Sequence, residues 1–159
     1  MKKRIIPISV ISIIILFILI GYLYLSAMKP IEIAEDIAIN IAKKEAQMQT
    51  IQKVYTYHGT EAYSVVLGED QSEQVIAVFI PEDVKKPIVI KNQADGTTEQ
   101  QIIDMVNKEQ NPKKIISVTL GMDGNIPIWE TVYIDHQNRY VYHYSYFESG
   151  TKRKRYIIS

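Results

Sequence analysis

The sequence predicts an α+β protein in which an N-terminal transmembrane helix precedes two tandem repeats. Each repeat is expected to pack one helix on a three- to four-stranded antiparallel meander. Residues 5–27 carry no formal charge, and the rest of the 159-residue chain shows a helix-like stretch followed by strand-like runs, twice over. A helix laid across one meander buries a single apolar layer, which suits halves too short for a deep core.

The composition excludes several kinds of protein. Hydrophobic residues make up 47% of the chain and charged residues 23%, a mixture typical of a globular protein and not of a disordered one. The formal net charge is zero, so no strong field attracts nucleic acid. The chain has no cysteine, which excludes disulfides, thiolate metal sites and a cysteine nucleophile.

The first segment is predicted to anchor the chain in a membrane. Three cations at residues 2–4 precede the uncharged stretch 5–27, and about 20 apolar residues are enough to cross a bilayer core. The positive-inside rule places residues 1–4 in the cytoplasm and the following domains outside it. We therefore expect a single-pass protein of the cell membrane. A cleaved signal peptide has the same charged start and remains the alternative.

The first predicted domain covers residues 30–91. Residues 31–49 predict a helix, because Ile33, Ile37 and Ile41 recur at helical spacing, with alanines beside them at 34, 38 and 42. This apolar stripe is expected to pack on a sheet. Turn residues separate four strand-like runs after the helix, at 51–57, 62–68, 74–81 and 87–91.

The second predicted domain covers residues 97–159 and follows a linker of turn residues at 92–96. Either Thr97 or Thr98 can cap a helix that runs to Glu109, because a glutamine follows each threonine three residues later, as in a capping box. Four strand-like runs follow, at 115–120, 126–134, 139–147 and 153–158. This repetition of the first domain's pattern predicts an internal repeat.

No group of residues predicts catalysis, a metal site or a cofactor. The histidines (His58, His136 and His143) lack the spacing of metal ligands, and no G-x-S-x-G motif occurs. Adjacent acids such as Glu35 and Asp36 diverge on a helix, so they are unsuited to paired acid–base work. We therefore expect a protein that is not an enzyme, with no catalytic, metal-binding or cofactor-binding residues.

Aromatic residues of the second domain form the candidate partner-binding surface. Tyrosines alternate with other residues along the strand 139–147, and Trp129 and Tyr133 share a face of the preceding strand. Tyrosine and tryptophan are enriched at interaction hot spots, so Trp129, Tyr133 and Tyr140 are the candidate partner-binding residues. One of the two faces of these strands is expected to lie in the core, and the alternation of residues alone does not say which face.

A short basic run occupies Lys152–Arg155. It suits contact with anionic lipid or wall polymer. A solvated edge strand, protected by its charges from pairing with another chain, is the alternative.

The order of these features resembles a known family. The stretches that carry the resemblance are Ser26-Ala27-Met28, YSVVLG at 63–68, VFIP at 78–81, IPIWETVYID at 126–135 and YFESGTK at 146–152. Together they resemble the TseB-like (YpmB-type) cell-wall elongation regulators of low-GC Gram-positive bacteria. The last two stretches are also similar to the PepSY-type signature.

The resemblance implies a cystatin-like fold in each repeat and a non-catalytic role in regulating peptidoglycan synthesis. Members of the family are taken to associate with a class B penicillin-binding protein, a peptidoglycan transpeptidase. The expected partners are therefore this transpeptidase and the membrane, with no nucleic acid. The family has no catalytic residues, so none is assigned to this chain.

Two other functions stay open at this point. An envelope protease-inhibitor or sensor module of PepSY or cystatin type would insert a loop into a protease cleft, and Gly121–Asn125 is the best candidate. An enzyme acting on wall polymer would need a positioned acid, base or metal, and the sequence shows none.

Overall fold

The computed structural model describes residues 2–83 and 85–158. The chain divides into two compact units, Met1–Ile37 and Ala38–Ser159. The predicted mixture of helices and antiparallel strands is confirmed. In chain order, the helices and strands are α1 (Lys2–Glu45), β1 (Thr50–His58), β2 (Ala62–Glu69), β3 (Val75–Pro81), β4 (Val89–Asn92), a 3-10 turn (Gln93–Asp95), α2 (Glu99–Gln110), β5 (Lys114–Asp123), β6 (Ile126–Ile134), β7 (Tyr140–Tyr146) and β8 (Lys152–Ile158).

The strands form two four-stranded antiparallel sheets, with the orders β1-β2-β3-β4 and β5-β6-β7-β8. Every predicted strand is present, and the largest difference in bounds is at β5. This strand continues past the predicted end at residue 120, because Met122 and Asp123 pair with Pro127 and Ile126. The turn is thereby reduced to Gly124 and Asn125, and Gly124 adopts a positive φ of 65°.

The end of α1 packs on one face of the first sheet through alanines. Ala38 and Ala42 are buried with Met48, Val66 and Val78, and these side chains belong to the smaller of two apolar cores. The predicted stripe is wrong at its start, because Ile33 and Ile37 are both exposed. The helix also ends before residue 49, since Gln47 has a left-handed φ of 52°.

The larger core joins α2 to both sheets. It contains side chains from the other face of the first sheet, such as Val65 and Phe79, together with Ile102 of α2 and Trp129 of β6. Helix α2 begins with the predicted capping box at Thr98 and Gln101. The alternative cap, Thr97, is buried instead, and its hydroxyl donates to the carbonyl of Phe147 at 2.8 Å.

Within residues 2–83 and 85–158, no helix is both long and apolar enough to cross a membrane. The transmembrane helix predicted over residues 5–27 is therefore not confirmed. The repeat count, the cystatin-like fold and the domain bounds 1–4, 5–27, 30–91 and 97–159 stay predictions.

Candidate partner-binding surface

Alternate side chains of β7 form a buried stripe on one face of the second sheet and a partly exposed stripe on the other. Val141, His143 and Ser145 are buried on the face that α2 covers. The tyrosines at 140, 142, 144 and 146 project to the opposite face, where Tyr140 is exposed and the others are half-buried. We call this opposite face of the second sheet the tyrosine face.

The three candidate residues lie on different faces of the second sheet. Trp129 and Tyr133 are buried beside α2, at 4% and 2% exposure. The indole Nε1 of Trp129 donates to the carbonyl of Thr97 at 3.1 Å, and the Tyr133 hydroxyl donates to Gln110 at 3.4 Å. Only Tyr140 lies on the tyrosine face. The structure thus places two of the three in the core, while the partner-binding role itself stays a prediction.

One end of the tyrosine face is exposed and apolar. Tyr140 lies opposite Ile158, and Tyr142 lies opposite Tyr156 in the neighbouring strand. Tyr140, Tyr156 and Ile158 are 50–55% exposed. Exposed apolar side chains that adjoin one another on a protein surface are typical of an interaction site.

The other end of the tyrosine face contacts the first sheet through a carboxylate. The hydroxyl of Tyr57 in β1 donates to Glu130 Oε2 in β6 at 3.2 Å, and Tyr144 lies opposite Glu130 in β7. Burial, reinforced by the negative charge of Glu130, raises the pKa of Tyr57 and of Tyr144. Both phenols therefore stay protonated well above neutral pH, and both can donate hydrogen bonds.

A second carboxylate, that of Asp123, forms ion pairs with two residues of the basic run, Arg153 and Lys154. Asp123 accepts from Arg153 Nε at 2.7 Å and lies 2.9 Å from the ammonium of Lys154. These two cations hold the pKa of Asp123 below its usual range. The Lys154 ammonium also lies 4.7 Å from the centroid of the Tyr144 ring, a cation–π contact.

A small open cleft lies where these two carboxylate clusters meet. Its volume is about 270 Å³, and its lining includes Tyr57, Asp123, Tyr144 and Lys154. These groups can bind a polar ligand or a partner side chain. In the part of the chain that the structure describes, no three acidic or histidine side chains gather as metal ligands would.

The loop considered for a protease cleft is held against the first sheet. The Tyr63 hydroxyl donates to the carbonyl of Gly124 at 3.1 Å, and Asp123 is engaged by Arg153. Gly124 and Asn125 are exposed at the tip of this hairpin. The placement gives no specific support to the inhibitor function.

Sequence reasoning missed the contacts of Tyr57 and Asp123. Both contacts join residues far apart in the chain, Tyr57 to Glu130 and Asp123 to Arg153. The sequence predicts a turn at Asp123, and Tyr57 is one of many aromatic residues in the predicted strands. No local pattern indicates either pairing, because the first joins the two sheets and the second joins β5 and β8, the two outer strands of the second sheet.

Known proteins resemble this chain over most of its length. A family model described as "Cell wall elongation regulator TseB-like domain" matches residues 38–81. The "Probable cell wall elongation regulator TseB" of Bacillus subtilis (strain 168) is 32% identical over 151 residues, which covers 94% of each chain. The solved structure of "YpmB protein from Bacillus subtilis" is 30% identical, with a TM-score of 0.73, and covers 77% of this chain and 96% of that one.

Proposed function

Because the chain belongs to the family of TseB-like cell wall elongation regulators, we propose that it regulates cell wall elongation as a non-catalytic, membrane-anchored binding protein. Its partner in this proposal is a class B penicillin-binding protein. The proposal extends to this chain the function printed for the Bacillus subtilis relative. The proposed partner is the one that the family resemblance implies.

The observation that carries the binding role is the exposed end of the tyrosine face. Tyr140, Tyr156 and Ile158 share this surface on neighbouring strands. Their amphipathic and apolar side chains bury a large area at little conformational cost, and such residues dominate the energetics of interfaces. A partner that covers these side chains would remove their apolar surface from water, which favours binding.

The membrane anchor rests on the sequence. Three cations precede the uncharged stretch 5–27, and α1 exposes large apolar side chains such as Phe17, Ile18 and Leu23. Confinement to the membrane plane would raise the effective concentration of a weak binder beside a membrane-bound synthase. Extraction of cell membranes with alkaline carbonate tests this part, since an anchored chain stays in the pellet and a peripheral one is released.

Crosslinking in living cells tests the partner. A photoreactive phenylalanine analogue replaces Tyr140 or Tyr156, and crosslinked products are probed with fluorescent penicillin. We expect a labelled adduct of the size of a class B penicillin-binding protein. The same analogue at Thr56, an exposed position of β1, is the matched control. Equal recovery from all three positions, or no labelled adduct, would contradict the proposal.

A further inference from the structure

The strand β8 presents a free edge that is basic from Lys152 to Arg155 and apolar from Tyr156 to Ile158. Within the described residues it pairs with β7 alone, so the backbone groups on its outer side have no strand partner. Its pairing is regular from Lys154 to Ile158. Tyr156, Ile157 and Ile158 are consecutive exposed hydrophobic residues. A flat edge strand with exposed apolar side chains is a template for pairing with another chain.

The half of β8 from Tyr156 to Ile158 has neither the register shift that lies beside Arg153 nor a charge, whereas the other sheet edges are protected by several means. The strand β4 spans only Val89–Asn92. The edge of β5 is partly covered by the first sheet, because the Tyr55 hydroxyl donates to the carbonyl of Leu120 at 2.8 Å. The outer strand β1 contains a register shift between Ile51 and Lys53. Bulges, short strands and covering side chains are the usual defences against edge pairing.

Alternate side chains of β8 lie on opposite faces of the second sheet. Lys154, Tyr156 and Ile158 lie opposite Tyr144, Tyr142 and Tyr140 on the tyrosine face, whereas Arg155 and Ile157 lie opposite His143 and Val141. A strand added to this edge would place its side chains beside these same residues. Apolar side chains suit the half from Tyr156 to Ile158.

The charges of β8 indicate an acidic neighbour for the other half. Arg153 and Lys154 are paired with Asp123. Lys152 and Arg155 are exposed, and among the residues described here neither forms an ion pair; the Arg155 guanidinium donates to the neutral amide of Gln110 at 2.9 Å. Carboxylates opposite these two cations would add favourable cross-strand pairs.

We infer that the outer edge of β8 docks an extended segment of a partner protein, with acidic side chains beside Lys152 and Arg155 and apolar side chains beside Tyr156–Ile158. A second copy of this chain fits less well, because pairing through β8 would bring two basic runs together. The inference rests on the proposed binding role, and it names the secondary structure and the charge of the contacting segment.

Peptide binding to the full chain in mild detergent tests the inference. The probe has the sequence Val-Ile-Tyr-Glu-Thr-Thr-Glu, which matches β8 in the antiparallel direction, and its reversed sequence serves the parallel direction. We expect one of them to bind and to slow amide hydrogen exchange in β8 by at least about tenfold. A version with N-methylated backbone amides should not bind, because it cannot donate strand hydrogen bonds.

Exchanging the charges of the probe and of β8 tests whether the glutamates of the probe contact the cations of β8. Replacing both glutamates of the probe by lysine should weaken binding at least about tenfold, and an Arg155→Glu variant should restore part of the binding of the lysine probe, since its other lysine still lies opposite Lys152. Lys152→Glu is the second variant, in case Arg155→Glu alters the fold. Lys53→Glu changes an exposed cation on β1 and should leave binding unchanged.

Several outcomes would overturn the inference. They are no binding by either probe, protection outside β8, equal binding by the N-methylated probe, or failure of the charge exchange in both variants. Concentration-dependent protection of β8 without any peptide would identify a second copy as the occupant. The peptide experiment contains no synthase, so it is independent of the proposed partner. If the peptide binds but crosslinking in cells fails, only the proposed partner is refuted. If crosslinking succeeds but no peptide binds, only the pairing at the edge of β8 is refuted.

Discussion

The hydroxyl of Tyr57 donates to Glu130 Oε2 at 3.2 Å and thereby joins the two sheets through a hydrogen bond to a carboxylate. The Tyr57 side chain is buried, and its ring also covers Gly121 of β5. One tyrosine thus supplies both a polar and an apolar contact between the sheets.

Replacing Tyr57 by phenylalanine should lower the free energy of unfolding by about 1–3 kcal/mol, because Glu130 loses a donor in a partly buried site. Urea unfolding of the full chain in detergent measures the change. Tyr156→Phe is the matched control, since its ring is exposed, and it should change stability by less than about 0.5 kcal/mol. Equal losses in the two variants would show that the hydrogen bond to Glu130 contributes nothing specific.

Adding a methyl group at Gly121 should force the two sheets apart. A Cβ at this position would lie 2.6 Å from carbon atoms of the Tyr57 ring. We expect Gly121→Ala to cost about 1–3 kcal/mol of stability, the usual cost of overpacking. In the background of Tyr57→Leu the same substitution should cost clearly less, and a double-mutant cycle measures the difference. Additive losses would contradict a contact between the two positions.

The buried His143 should make stability depend on pH. Burial lowers the pKa of His143 from its ordinary 6.5, assisted by Lys152 and Arg155 of β8 and opposed by Glu109 of α2. The ring of Tyr133 lies 6.5 Å away, and the imidazole Nδ1 has no hydrogen-bond partner among the described residues. The folded chain therefore resists a protonation that the unfolded chain accepts, so the free energy of unfolding should fall as the pH drops below 6.5.

Urea unfolding between about pH 8 and pH 5 measures this dependence. A His143→Gln variant should have a flatter profile than the unsubstituted chain. The exposed His58 serves as the control, and His58→Gln should keep the original slope. If His143→Gln loses stability as steeply with acidification, the buried imidazole is not the source.

Neutralising Asp123 should destabilise the tyrosine face. Asp123→Asn removes the carboxylate that Arg153 and Lys154 share, and its side chain is only 14% exposed. We expect a loss of about 1–3 kcal/mol, typical of hydrogen bonds to a charged group. Because the pKa of Asp123 is lowered in the folded chain, its contribution is present above the ordinary pKa and is lost as the pH falls through the lowered one.

The exposed pair of Lys44 and Glu45 gives a control for this experiment. Its side chains are 83% and 46% exposed, and such surface pairs contribute little to stability. Glu45→Gln should therefore change the free energy of unfolding by less than about 0.5 kcal/mol. Thermal or urea unfolding of both variants compares the two effects. A loss as large for Glu45→Gln would indicate a general charge effect.

Much of the secondary structure could be predicted from periodicity and turn chemistry. The strand β6 has the bounds that its alternating residues predict, and Thr98 with Gln101 forms one of the two capping boxes that the spacing allows. The packing of the end of α1 could not be predicted, because Ala38 and Ala42 enter the core of the first sheet while the larger Ile33 and Ile37 are exposed. Small side chains allow a close approach of helix to sheet, and residue size alone does not reveal this.

The sequence by itself determined the α+β class, the strands, the presence of a capping box at one of two threonines before α2, and the position of an alternating tyrosine stripe. Local geometry decides these features, since side chains alternate along any strand. Only the tertiary structure decided that Trp129 and Tyr133 lie in the core while Tyr140 is exposed. The two faces of β7 are equivalent until α2 covers one of them, and that contact joins residues far apart in the chain.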